Sequence, residues 1–134
     1  MSLAPNDGAV RVLVAGLGNG PLDWWNGHSP IRPAIAQGQA EAMRVARQEE
    51  IDVAVVNWKL ADGDGMILVS LLKELSPHLM VIVTGKGQEP GEELEAYASG
   101  ASLFLPQPLD AAELARVIAT CLNRTDRLSN AMSA

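Results

Sequence analysis

Three short runs constrain this chain more than anything else in it: Val10–Ala15 (VRVLVA), Val53–Asn57 (VAVVN) and Met80–Thr84 (MVIVT). They are rich in β-branched residues and almost continuously apolar. A strand with one wet face alternates apolar and polar residues. A run that does not alternate must be covered on both faces, which is the condition of a parallel sheet between helical layers. Two weaker strands join them. Ile31–Ala36 contains Pro33, which favours an edge position, and Leu103–Leu105 is short. Helical patterns fill the gaps. Gln39–Glu50 places Ala40, Met43 and Ala46 or Arg47 on successive turns, and Met66–Leu75 is closed by Ser76-Pro77. Glu92–Ser99 is followed by Gly100 as its C′ residue, and a last helix opens at Asp110 with Glu113 three residues on, as in a capping box. The apolar face of that helix is Leu114, Val117, Ile118, Cys121 and Leu122. Strands alternating with helices predict a doubly wound α/β domain with right-handed crossovers. In such folds the functional crevice lies beyond the carboxyl ends of the strands. That geometry singles out Gly16, Leu17, Asn57, Thr84 and Gln107.

Size and charge narrow the classes further. A chain of 134 residues is one domain, able to bury roughly two-thirds of its unfolded surface. Apolar residues at 48% and charged residues at 19% are those of a packed globular protein. With 16 acids against 10 bases, the net charge of -6 argues against direct nucleic-acid binding, which wants clustered cations. A single cysteine, Cys121, excludes an intramolecular disulfide and a Cys-rich zinc site, and only His28 and His78 remain as imidazoles. No apolar run has the length of a membrane span, and the start MSLAPNDG has neither a basic nor an apolar leader region, so a cytoplasmic setting is expected. Residues 1–9 read as a flexible lead-in, residues 10–123 as the domain, and residues 124–134 as a flexible tail or linker.

Three segments, IDVAVVNWKLADGDG, MVIVTGKG and SGASLFLPQPLDAAEL, occur in the order and on the elements of a known family. Over about residues 10–123 the chain resembles the receiver domains of two-component response regulators. The resemblance implies a flavodoxin-like fold, five parallel strands in the order 2-1-3-4-5. It also implies a role in signal transduction. Family receivers carry an acid pair after the first strand, a phosphoacceptor Asp ending the third, and a Lys before a Pro after the fifth. Those positions here are Gly16 and Leu17, Asn57, and Gln107 followed by Pro108. Thr84 is kept, and Phe104 takes the aromatic switch position. An amide cannot be the carboxylate nucleophile, and Mg²⁺ relies on carboxylate oxygen to offset its dehydration. The expectation is a degenerate receiver: no enzyme, no Mg²⁺ and no other cofactor, acting by phosphorylation-independent protein–protein contact. The first crossover, GLGNGPLDWWNGHSP, is helix-poor, with four glycines, two prolines and two asparagines. It is about four residues shorter than the resemblance leads one to expect, so the first helix should be short or irregular.

Further features have two readings each. Lys59 and Lys86, with Trp58 beside the former, flank the expected pocket; they are either an anion pair working with Thr84 or solvated surface cations. Asp62 and Asp64 in DGDG form a turn and a helix cap more naturally than a metal pair. Gly16, Gly18 and Gly20 resemble a dinucleotide loop, but Pro21 stands where G-x-G-x-x-G needs glycine and no acid ends the second strand. A small nucleotide-binding domain is therefore one alternative function, and a receiver phosphorylated at a substitute hydroxyl, Thr84 or Ser102, is another. Trp24 and Trp25 are a lid over the sheet or a partner anchor. Glu89, Glu92, Glu93 and Glu95 form an acidic run. The helix Met66–Leu75 is apolar nearly all round, which fits deep burial or a binding face. By resemblance, Tyr97, Phe104, Glu113 and Arg116 lie on or near the face formed by the fourth helix, fifth strand and fifth helix. Family members dimerise or dock there, so a protein partner, an output domain or a homodimer is expected.

Overall fold

The computed structural model describes residues 10–17, 31–86, 90–110 and 112–120. Five strands, β1 (Val10–Ala15), β2 (Ile31–Ala36), β3 (Val53–Asn57), β4 (Met80–Gly85) and β5 (Leu103–Pro106), form one sheet in the order β2-β1-β3-β4-β5. Every pairing in it is parallel. The helices are α1 (Gln39–Gln48), α2 (Gly65–Leu75), α3 (Pro90–Ser99) and α4 over 112–120. The expected doubly wound topology is thus the observed one. Helix α1 stops two residues short of the expected Glu50, because Glu49 already has extended backbone. Cys121, Leu122, Trp24, Trp25 and Glu89 lie outside the described residues, as do both terminal segments.

The continuous runs are explained by two cores. Val12 to Ala15, Val53 to Val56 and Val81 to Val83 are all 0% exposed, although successive side chains point to opposite faces. Leu13, Ala15, Ala54, Val56, Val81 and Val83 meet Ala42 and Met43 of α1, Met66, Leu68, Val69 and Leu72 of α2, and Ala96 of α3. On the other face Val12, Val14, Val53, Val55 and Ile82 meet Leu114 and Ile118 of α4. β2 is an edge, as Pro33 requires. Gly16 N donates to Ala36 O at 2.9 Å, so the parity of the ladder turns Ala36 and Ala34 toward β1 and leaves Pro33 facing outward.

Local chemistry sets the boundaries. Asp64 caps α2, its Oδ1 accepting from Met66 N at 2.8 Å. Gly65 must be glycine, because a Cβ there would lie 2.1 Å from Asn57 O. At the far end Lys73 Nζ donates to Pro77 O and Leu79 O, at 2.8 and 2.9 Å. Gly100, with φ +118, ends α3 as expected. Asp110 caps α4 by accepting from Ala112 N at 3.0 Å. An ion pair between Arg11 and Glu49 joins the start of β1 to the loop before β3, where Arg11 N also donates to Asp52 Oδ2 at 2.9 Å. Helix α2 resolves its two readings in favour of burial for Met66, Leu68, Val69 and Leu72, with Ile67 and Leu75 left exposed.

The two kinds of apolar position on α2 should respond differently to truncation. Leu72→Ala, at a fully buried site, is expected to cost about 2–5 kcal/mol in urea unfolding. Ile67→Ala, at a side chain 53% exposed, should cost about 0.5 kcal/mol.

Candidate functional site

The order of strands reverses between β1 and β3, so the crevice of a doubly wound sheet should open at their carboxyl ends. The fold brings Gly16, Asn57, Thr84 and Gln107 to that edge. Gly16 turns the chain away from β1 with φ +81, a conformation that favours glycine, and a Cβ there would sit 2.7 Å from Leu60 Cδ2. Its carbonyl accepts from Asn57 Nδ2 at 2.9 Å. Asn57 Oδ1 in turn accepts from Gln107 Nε2 at 3.0 Å. Gln107 is itself held by its backbone N–H, which donates to Gly85 O at 2.7 Å. A chain of two amides therefore ties the ends of β1, β3 and β5 together. Both hydrogen bonds use the amides in a single consistent orientation, donor to Gly16 and acceptor from Gln107.

Thr84 pairs in register with Asn57 and is 0% exposed. Its Oγ1 is sealed from solvent and has no hydrogen-bond partner among the described residues, while its carbonyl accepts from Trp58 N at 2.8 Å. Lys59 and Lys86 are exposed. The Thr84 hydroxyl is thus closed to solvent, while both lysine side chains lie on the surface. Leu17 is half-buried and packs with the core beneath α4, so it turns away from the site.

The loop after β3 serves two helices. Lys59–Leu60 and Gly63–Asp64 pair as a small antiparallel hairpin. Asp64 caps its own helix as expected, but Asp62 caps a different one. Its Oδ1 and Oδ2 accept from Gln39 N at 2.7 Å and Ala40 N at 3.3 Å. Those two donors hold the Asp62 carboxyl below its ordinary range, Gln39 being the larger influence. Gly38, buried at the start of α1, supplies no side chain for the purpose.

On the face formed by α3, β5 and α4, Tyr97 is exposed and its hydroxyl accepts from Phe104 N at 3.2 Å. Glu113 and Arg116 are exposed as expected. Phe104 lies beneath that face on β5, 8% exposed and packed in the core with Ala96. Leu94, 74% exposed on α3, belongs to the surface and was not singled out from the sequence.

The family model of the response regulator receiver domain matches residues 27–119. The chain belongs to that family. Among curated relatives, this receiver is 30% identical over 78 residues to the DNA-binding transcriptional regulator NtrC of Proteus hauseri, covering 58% of the chain and 16% of NtrC. It is 36% identical over 75 residues to the regulatory protein VirG of Rhizobium rhizogenes, covering 55% of the chain and 31% of VirG. The receiver thus spans a minor part of the length of these relatives. Among solved structures, a CheY-like response regulator receiver domain protein from Methanospirillum hungatei JF-1 superposes with a TM-score of 0.79 at 19% identity. That match covers 89% of this chain and 98% of the other, and it shows the shared fold.

Two outcomes test this geometry. Asn57→Ala leaves Gly16 O and Gln107 Nε2 without their partner, and should cost about 1 kcal/mol in urea unfolding, with Gln107→Ala less than additive to it. The Asp62 carboxylate has a depressed folded pKa, so its stabilisation is present above about pH 4 and is lost as pH falls through the lower folded value. A melting temperature measured against pH should therefore fall more steeply in acid for the wild type than for Asp62→Asn.

Proposed function

We propose that this receiver signals without being phosphorylated at the end of β3, through contact with a protein partner or an output domain. One observation carries the reading: the Gly16–Asn57–Gln107 chain of hydrogen bonds occupies, with neutral groups, the strand edge where family receivers gather charged ones. Asn57 has no anionic oxygen with which to attack a phosphoryl donor. Its Oδ1 is already accepting from Gln107, and the Gly16 carbonyl from Asn57.

The Mg²⁺ that the family implies does not fit these residues. A hard divalent cation needs carboxylate oxygens to replace its water, and the side chains at Gly16, Leu17 and Asn57 supply none. A substitute hydroxyl is disfavoured as well: Thr84 is sealed from solvent, and Ser102 precedes β5, at the opposite end of the sheet from the crevice.

The contact surface that fits best is the one formed by α3, β5 and α4. It presents Leu94 and Tyr97, exposed on α3, and Glu113 and Arg116, exposed on α4, apolar and charged side chains of the kinds interfaces combine. This face is the proposed site of docking or homodimerisation. No helix among the described residues is long and apolar enough to cross a membrane, and a cytoplasmic setting fits.

Incubation of the purified chain with acetyl phosphate and Mg²⁺, read by intact mass, should leave the mass unchanged. An added phosphoryl group overturns the proposal. Leu94→Glu should reduce any self-association seen by light scattering or any partner binding, while leaving the circular dichroism spectrum as it is.

A further inference from the structure

The chain that leaves β3 touches the crevice at its root and a helix at its tip. At the root, Trp58 N donates to Thr84 O at 2.8 Å, and Leu60 lies so close under Gly16 that a Cβ there would meet it at 2.7 Å. Gly65 N donates to Trp58 O at 2.8 Å and closes the excursion at its base. At the tip, Ala61 N donates to Gln37 O at 3.1 Å, and the Asp62 carboxylate takes the Gln39 and Ala40 N–H groups. Gly38 leaves room for that carboxylate, since a Cβ there would sit 2.7 Å from it.

We propose that residues 58–64 form a latch that couples the strand-end crevice to the first turn of α1, with Asp62 as its catch. The first N–H groups of a helix have no partner within the helix. Here Gly38 has no side chain to offer, so the carboxylate comes from a residue 23 positions away, on the loop that also walls the crevice. Release of the catch uncaps α1 and lets Leu60 withdraw from Gly16. The Gly16 carbonyl is the acceptor of Asn57 Nδ2, so the amide chain loses its fixed end at the same time. Coupling of this kind is reciprocal: a change at the amide chain must reach α1 by the same path. The charged groups on the elements that meet at the catch are Glu41, Arg44 and Arg47 on α1 and Lys59 and Asp64 on the hairpin. Glu41 is engaged with Gln37 N at 2.9 Å, and Asp64 with Met66 N. The latch does not depend on how the crevice is used, so it stands or falls apart from the phosphorylation test.

Amide exchange and side-chain amide resonances of the ¹⁵N-labelled chain provide the test, with circular dichroism confirming that each variant is folded. Asp62→Ala should speed exchange at Gln39 and Ala40 by roughly fivefold. It should also shift the side-chain amide resonances of Asn57 and Gln107. Asp62→Asn, which keeps an acceptor oxygen, should give a smaller change at both places. If the two amides stay where they are while α1 loosens, Asp62 is a local cap and the latch is wrong. Gln107→Ala tests the reverse direction and avoids any folding defect at Asp62. It should shift the backbone amides of Gln39 and Ala40, and unmoved signals there overturn the proposal.

Discussion

Burial of β1, β3 and β4 on both faces is the constraint from which the rest of the structure follows. Each fully buried valine or leucine in these strands contributes about 1.5–3 kcal/mol. That gain is available only if helices cover the sheet above and below. The requirement sends α1, α2 and α3 to one face and α4 to the other. It also forces the connections to cross over the sheet, which is why all five strands run parallel and why their carboxyl ends share one edge. The site is a by-product of that arrangement. Gly16, Asn57, Thr84 and Gln107 are far apart in the chain and adjacent in space because each ends a strand.

What occupies that edge is polar but uncharged. In a partly buried place, an amide that both donates and accepts is a satisfied group, whereas a lone charge is costly. Asn57 is in the first condition, between Gly16 and Gln107. Thr84 is the exception, a buried hydroxyl with its oxygen unpaired. The edge is therefore held together by its own side chains, Asn57 and Gln107 being neutral amides.

The hairpin after β3 shows how a short loop can serve several elements at once. Gly65 permits the close return past Asn57 O, Asp64 starts α2, and Asp62 starts α1. Two of these roles are local and are legible from spacing, since a cap sits next to the helix it caps. The third is not, because its partners are 22 and 23 residues away. Tyr97, Glu113 and Arg116 are exposed on α3 and α4. Phe104 is drawn into the core between β5 and α3.

The sequence by itself determined the layers and the edge. Non-alternating apolar runs admit only a sheet covered on both faces, and Pro33 has no N–H to give a second neighbour, so it belongs on an outer strand. The sequence also determined the chemistry available at the strand ends, because an asparagine and a glutamine carry no charge in any fold. Only the tertiary structure decided how those groups pair. Hydrogen bonds between residues tens of positions apart depend on angles and on distances near 3 Å, to which neither periodicity nor composition is sensitive. That is why the Asn57–Gln107 contact, the sealing of Thr84 and the reach of Asp62 to α1 appear only once the strands are side by side.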